Sequence, residues 1–553
     1  MDKDPSARHL LLLALSGGVL LGIAYPPSPV GVTALIGFVP LFFLLEQVRP
    51  LRAALSWGYL TFFVLNLITL YWAGGFTHMR DGYLMTAGAL LLLAHPVFFT
   101  LSLLPFVWIR NSFGFLSAVV SFPLVFTAFE FCHSSSQMAF PWLLLANSQT
   151  YDLNLIQMAS ATGAYGVSFW VVTVNVVCFL LVRHLSARRP STPSGGVLLY
   201  AIVLAAIVFV PEYIGKGILA GLPAGARGDV VTVASVQPNI DPFEKWLEAP
   251  SHFLPVLEDM TRKAASGSPD LVIWPETAVP TYILFPSNAG QLAELRRLVD
   301  SIRIPLLTGI ADVEFSRGGA RIPLTAVSGA TGEERSTYNS SMLLIPGQDS
   351  IQKYAKIVLA PFAERVPYSD ALSFLNAARW NFGLGGWSVG HDTTLFTFRT
   401  RKGREVRFSN LICYESAFPG FTAGFVRKGA EFLTVITNDS WWGNTSGTYQ
   451  HSRIAILRAV ENRRWVVQCA NGGISEVVDP AGRTISATGM YTAATLVREI
   501  VPLREMSFYT RHGDWFAEWS LMLAVFITGA ALAQQTYRSY RRSSYVGNNR
   551  SAE

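Results

Sequence analysis

Three residues carry reactive groups where an enzyme would use them. Glu276 ends the run LVIWPE, Lys356 lies in YAKIVLAPFAE, and Cys413 lies in NLICYE. A thiol becomes a strong nucleophile once it loses its proton. A neighbouring carboxylate can take that proton as general base. A lysine ammonium favours the thiolate and stabilises the oxyanion of a tetrahedral intermediate. Together the three suffice for acyl transfer through a thioester. Spacing alone does not single them out, because a lone cysteine in a strand is ordinarily a small core hydrophobe, and Lys and Glu are ordinarily solvated.

The elements that must position these groups read as alternating strands and helices. Runs 230–237, 271–276, 304–311, 340–346, 406–415, 432–439 and 464–470 have the continuous apolar character of buried strands. Segments 252–266, 288–302 and 449–463 have helical spacing. Continuous apolar strands separated by helices predict an α/β domain with sheets buried on both faces. Strand ends are where such sheets place their chemistry, and each of the three residues ends or follows a strand.

The rest of the chain is of another kind. Charged residues are 14% of 553, against about 25% in an ordinary soluble domain. Residues 1–213 hold only 9 of the 43 Lys and Arg and 7 of the 37 Asp and Glu. A bilayer core of roughly 30 Å takes about 20 apolar residues as helix. Runs near 9–25, 31–47, 53–73, 83–109, 114–133, 162–183 and 196–213 qualify, and an eighth lies at 515–537. Basic residues cluster on alternate sides of these runs: Lys3 and Arg8, Arg49 and Arg52, Arg110, Arg183 with Arg188 and Arg189, then Arg538, Arg541 and Arg542. By the positive-inside rule both termini are cytoplasmic and the α/β domain is extracytoplasmic. The expected units are therefore membrane helices one to seven in 1–213, the catalytic domain in 214–514, helix eight in 515–537 and a polar, basic tail in 538–553. Glu130 and His133 fall near the end of the fifth run, where an interfacial carboxylate bonding its neighbours is the simpler reading.

W-P-E, K-x-x-x-x-P-F-x-E and C-Y-E occur in that order, followed by TNDSWWG (437–443) and ANGGISEVVDPAG (470–482). This series resembles the nitrilase, or carbon–nitrogen hydrolase, superfamily, which implies an αββα sandwich and a Glu-Lys-Cys catalytic set. Eight spans with such a domain between the seventh and eighth resemble the bacterial apolipoprotein N-acyltransferase family. So do FPWLLLANSQ (140–149), YTRHGDWF (509–516) and the N-terminal Pro-rich hairpin. The resemblance implies an inner-membrane enzyme of lipoprotein maturation. Cys413 would attack the sn-1 ester of a phospholipid, typically phosphatidylethanolamine, and pass the acyl group to the α-amine of an S-diacylglyceryl-cysteine apolipoprotein. Glu276 would act as base, and Lys356 with the Tyr414 backbone N–H would hold the oxyanion. The same resemblance implies supporting roles for Glu364, Tyr414, Glu415, Trp246 and Asn339. Where the family often has Gly before the second Glu, this chain has Ala363.

A lipid donor makes a physical demand. Burial contributes about 0.8 kcal/mol per CH₂, so the site must open towards the bilayer. Two apolar loops are candidate walls: 281–286 with Leu284 and Phe285, and 373–387 with Trp380, Phe382 and Trp387. Trp441 and Trp442 are candidates for another side. A tethered amidase using water as acceptor shares the first half-reaction, but an anchor needs one helix rather than eight. A transporter predicts charged or broken helices at the membrane midplane, and the central spans here are nearly free of charge. The sequence implies no cofactor and no metal, since it has no nucleotide-binding glycine pattern and no metal-ligand spacing. His391 and His451 read as structural. Four cysteines without C-x-x-C exclude a disulfide scaffold, and a net charge of +6 over this length does not point to nucleic acid.

Overall fold

The computed structural model describes residues 6–75, 82–187, 195–247, 253–317, 320–322, 333–368 and 386–550. Among them, six helical segments are long and apolar enough to cross a membrane: Leu51–Gly74, Leu84–Phe113, Phe115–His133, Leu155–Ser186, Gly196–Gly221 and Trp515–Arg541. Two shorter apolar segments, Ala7–Gly22 and Gly31–Gln47, fall on the first two expected runs. The first α-helix has 16 residues, about 24 Å of rise, and Pro26 and Pro27 follow soon after its end. The second run is split into a short 3₁₀ turn, Gly31–Leu35, and an α-helix, Val39–Gln47. Two helices outrun the sequence reading. The seventh continues past residue 213 to Gly221, and the last runs from Trp515 to Arg550 through the polar residues where a tail is expected. Adding residues to a nucleated helix costs little, and no proline interrupts either extension. Glu130 is buried and accepts the Leu145 N–H at 2.8 Å, which ties the irregular segment 141–149 to its helix.

The α/β half contains two sheets. In the first, β1 (Val231–Gln237), β2 (Leu271–Ile273) and β3 (Leu306–Arg317) run parallel. Beyond β3, antiparallel partners follow: β4 (Ala320–Ile322) as a side branch, then β5 (Glu333–Leu344) and β6 (Gln352–Ala355). The second sheet has β7 (Phe396–Arg399), β8 (Glu405–Ile412), β9 (Phe432–Thr437), β10 (Val466–Ala470), β11 (Glu476–Val478) and β12 (Thr484–Ala487) side by side. Its central strands β8, β9 and β10 are parallel. The last strand, β13 (Ala494–Ile500), returns to pair antiparallel with β1 just before the final helix.

Helices Leu254–Ala265 and Ala289–Ile302 cover one side of the first sheet through Leu257, Leu295 and Leu298 against Val272, Trp274 and Leu306. Helices Pro419–Arg427 and Ser446–Asn462 cover the second sheet through Phe425, Ile456 and Val460. The sheets meet face to face, with Cys469 Sγ on β10 lying 3.4 Å from Val236 O and 3.3 Å from Ile273 O. This is the αββα order, and Cys469 is a core residue within it. Of the strands absent from the sequence reading, β4, β6, β7, β11 and β12 are only three or four residues long, too short to show a period, while the seven-residue β13 is also missed.

Candidate active site

Each of the three residues follows a strand end, and at Glu276 and Cys413 the backbone there, at Thr277 and at Cys413 itself, is in the left-handed region. After β2 the chain turns over Gly309 of β3, where a Cβ would collide with Thr277 N and Pro275 O. That close approach places Glu276, and Thr277 beside it has φ +45°. Lys356 follows β6. Its N–H donates to Asn339 O and its carbonyl accepts from Gly390 N, both at 2.8 Å. Cys413 follows β8 and opens the short turn Cys413–Ala417 with φ +51°. A non-glycine residue held in this region costs of order 1–3 kcal/mol and persists only where its surroundings impose it.

The charges meet on one atom. Lys356 Nζ lies 2.8 Å from Glu364 Oε1 and 3.5 Å from Glu276 Oε1. Asn339 Nδ2 donates to both carboxylates, at 2.8 Å to Glu276 and 3.1 Å to Glu364. Backbone N–H groups hold the outer oxygens: Asn438 donates to Glu276 Oε2 at 3.0 Å and Ala360 to Glu364 Oε2 at 2.8 Å. Lys356 is 1% exposed. Burial by itself would lower its pKa, but Glu364, Glu276 and the Cys413 sulfur raise it above the ordinary lysine value, so it stays an ammonium. Burial pushes the Cys413 thiol well up, Glu276 adds to that, and Lys356 opposes it. A thiol in this state keeps its proton until a base takes it.

The supporting residues divide into two kinds. Glu364 and Asn339 touch the charged cluster. Glu415 braces the backbone: it accepts from Tyr354 Oη and Ile357 N at 2.7 Å, from Val358 N at 3.1 Å and from Ile412 N at 2.8 Å. It therefore locks the Lys356 segment to the Cys413 turn. Burial lifts its pKa to about 7 against those bonds. Tyr414 points the other way. Its hydroxyl donates to Ala139 O at 2.7 Å, and its ring stacks on Trp142 at 6.3 Å and 11°. Tyr414, Ala417 and Phe418 belong to the apolar core of the membrane helices, and Val358, Ala360, Phe421 and Trp442 pack against that core.

Of the expected wall residues, Leu284 packs on the core of the first sheet's helices and Phe285 lies 6.1 Å from Phe315. Trp387 is 5% exposed, and its N–H donates to Glu364 O at 3.2 Å. Trp380, Phe382 and the side chain of Trp246 lie outside the described residues; the Trp246 backbone is in the helix Pro242–Leu247. Trp442 packs 4.5 Å from Trp72 and 5.6 Å from Trp142.

Three features escape the sequence reading. Lys245 is buried, with Nζ 3.2 Å from Thr277 Oγ1 and 3.4 Å from Glu276 O; burial lowers its pKa to about 8, with Glu276 opposing. Gln450 accepts the indole N–H of Trp72 at 3.1 Å and of Trp142 at 2.8 Å, and donates to Pro26 O at 3.2 Å and Thr69 O at 3.0 Å. It is a polar rivet between the α/β domain and the membrane helices. Thirdly, Cys413, Asp439 and His451 form the one grouping of metal-ligating residue types among the described residues. The His451 and Asp439 side chains bond each other at 2.8 Å, so the grouping is a hydrogen-bonded set. A lone Gln or His in a helix gives no signal of such roles.

Comparison with known proteins places this arrangement. A family model described as apolipoprotein N-acyltransferase N-terminal domain matches residues 17–177. One described as carbon–nitrogen hydrolase matches residues 232–505, in agreement with the two-sheet sandwich. The apolipoprotein N-acyltransferase of Chlorobaculum tepidum is 35% identical over 509 residues, 91% of this chain and 92% of that one. Proteins of the same name from Geobacter metallireducens and Azotobacter vinelandii are 31% and 32% identical, each over 95% or more of both chains.

Proposed function

The chain belongs to the apolipoprotein N-acyltransferase family, and from that premise we propose how its residues carry out lipoprotein N-acylation. Glu276 takes the thiol proton of Cys413, and the thiolate attacks the sn-1 ester carbonyl of a phospholipid, phosphatidylethanolamine in the first instance. Lys356 and the Tyr414 N–H hold the oxyanion. The C–O bond breaks, the leaving alkoxide recovers a proton from Glu276, and a lysophospholipid departs from a thioester on Cys413. The α-amine of an S-diacylglyceryl-cysteine apolipoprotein then attacks. A C–N bond forms, the C–S bond breaks, and Glu276 takes the amine proton. Glu364 and Asn339 keep Lys356 and Glu276 in register throughout.

The observation that carries this reading over hydrolysis is the contact of the nucleophile turn with the membrane helices. Tyr414, Ala417 and Phe418 share their apolar core, so an acyl chain can reach Cys413 from the bilayer with little exposure to water. The chain is a membrane protein. The alternating basic clusters support eight crossings, the two shorter apolar helices included, in the bacterial inner membrane with both termini cytoplasmic. Trp246 remains a candidate supporting residue, and the loops bearing Leu284, Phe285, Trp380, Phe382 and Trp387 remain the candidate walls of the lipid entry.

The test is the intact mass of the detergent-purified chain after incubation with phosphatidylethanolamine. A hydroxylamine-labile acyl adduct is expected on the wild type and not on Cys413→Ala. Adding an S-diacylglyceryl peptide should discharge the adduct and acylate the peptide. An adduct that persists in Cys413→Ala refutes the nucleophile, and discharge to free fatty acid alone refutes transfer.

A further inference from the structure

His451 sits beneath the nucleophile turn, on the helix Ser446–Asn462, and is fully buried. Its Nδ1 lies 2.8 Å from Asp439 Oδ1, which also accepts from Thr437 Oγ1 at 2.7 Å. Its Nε2 lies 2.9 Å from Ser416 Oγ and 3.3 Å from the carbonyl oxygen of Cys413. The Ser416 hydroxyl is 2.8 Å from that same carbonyl. An imidazole nitrogen, an Asp439 carboxylate oxygen and Cys413 Sγ all lie within 4.8 Å of one another.

The hydrogens in this set can be counted. A carbonyl oxygen only accepts, so both groups facing Cys413 O must donate to it. The Ser416 hydroxyl has one hydrogen. If it donates to Cys413 O, Nε2 must carry a hydrogen to face Ser416 Oγ and Cys413 O. If it donated to a bare Nε2 instead, two lone-pair contacts would be left against Cys413 O. On the other side, the Asp439 carboxylate requires a hydrogen on Nδ1. With Asp439 ionised, the doubly protonated ring satisfies every contact; a neutral ring would need the proton on Asp439 instead. Asp439 Oδ2 is buried with no hydrogen-bond partner among the described residues, which leaves Thr437 and His451, both on Oδ1, as the side chains that bond this carboxyl group.

We propose that Asp439 and an imidazolium His451 form a positioning pair for the nucleophile. The pair grips the Cys413 carbonyl, which keeps the residue in its left-handed conformation, and it puts a second cation within 4.8 Å of the sulfur. The inference rests on Cys413 being the nucleophile. The turn Thr437–Asp439 links both halves of the site, since Asn438 between them donates its N–H to Glu276. The charged and titratable groups facing His451 are Asp439 after β9, Cys413 after β8, Glu276 after β2 and Glu476 on β11. Burial alone would lower the pKa of His451; Asp439 first, then the Cys413 carbonyl and Glu276, raise it above the ordinary histidine value.

Two measurements on the full-length, untagged chain in detergent test this. Histidine-selective ¹⁵N NMR at pH 8.5, where solvated histidines are neutral, should show one ring with both nitrogens protonated. Its absence overturns the proposal without any variant. The second measurement is the pH profile of Cys413 alkylation by iodoacetamide, followed on the Cys413 peptide by mass spectrometry. His451→Gln keeps an amide donor but no charge, and Asp439→Asn keeps the shape but loses the counterion. In His451→Gln the midpoint should rise by about one pH unit and alkylation at pH 7 should slow about tenfold. In Asp439→Asn, which also removes a negative charge that raises the thiol, the signal of the doubly protonated ring should be lost. A lower melting temperature with an unmoved midpoint in folded His451→Gln, or a ring still doubly protonated in Asp439→Asn, would leave only a structural role and overturn the proposal. Neither measurement uses lipid, so both stand apart from the identity of the acyl donor.

Discussion

The two sheets bring different things to the site. The first sheet supplies charge: Glu276 after β2, Asn339 on β5 and Lys356 after β6, with Glu364 a few residues on, are bound to one another and to backbone N–H groups. The second sheet supplies the nucleophile, and Cys413 is held by groups outside the charged cluster. Its carbonyl is bonded by Ser416 and His451, and the next residue, Tyr414, is anchored in the membrane helices. The charged side chains are thus bonded within their own domain, whereas the Cys413 turn is held from that domain by Ser416 and His451 and also, through Tyr414, by the membrane helices. Charge placement should survive loss of the membrane contact, and lipid acylation should not.

The most severe break is Cys413→Ala, which should abolish the acyl adduct while leaving the fold intact, because an alanine fits the same turn; intact mass and melting temperature read the two separately. Next is Lys356→Met. It removes an oxyanion donor, expected to cost about 10²–10³-fold in acylation rate. It also leaves two buried carboxylates without their cation, expected to cost about 3–5 kcal/mol of stability. Adding Glu364→Gln should restore part of the melting temperature and none of the rate; a double variant no more stable than the single one would mean the cluster is not ion-paired.

Gln450→Leu attacks the other side. It strands the Trp142 indole N–H and the Pro26 carbonyl in the interface, each worth about 1–3 kcal/mol when left unpaired, while the Trp72 indole N–H keeps its bond to Thr69 O. Acylation by phospholipid should fall about tenfold, while iodoacetamide alkylation of Cys413 should change less than about threefold. Equal losses in both would show that the two sides are one unit. The mildest change is Tyr414→Phe, which loses one hydrogen bond to Ala139 O, about 1 kcal/mol; a few-fold slower acylation and a small drop in melting temperature are expected.

Much of this was legible because it is local. Long apolar runs mark membrane helices whatever surrounds them. The strands bearing Glu276 and Cys413 are continuous enough to read, and W-P-E, P-F-x-E and C-Y-E identify reactive residues by their immediate neighbours. The errors have local causes too. Proline after Gly22 shortens the first helix, and helix propagation carries the last one through polar residues to Arg550. Strands of three or four residues such as β6 and β11 carry too little pattern to be seen.

The sequence by itself determined which groups are candidates for the chemistry and that one part of the chain is apolar enough for a membrane, because composition and apolar runs act through a residue's own chemistry and its near neighbours. Only the tertiary structure decided that Lys356 lies between two carboxylates, that Glu415 serves as a backbone brace, that Gln450 ties the α/β domain to the membrane helices, and that His451 lies against the Cys413 carbonyl. Those roles depend on contacts between residues tens to hundreds of positions apart. Their energies come from burial and hydrogen-bond direction, which exist only once the sheets and helices have packed.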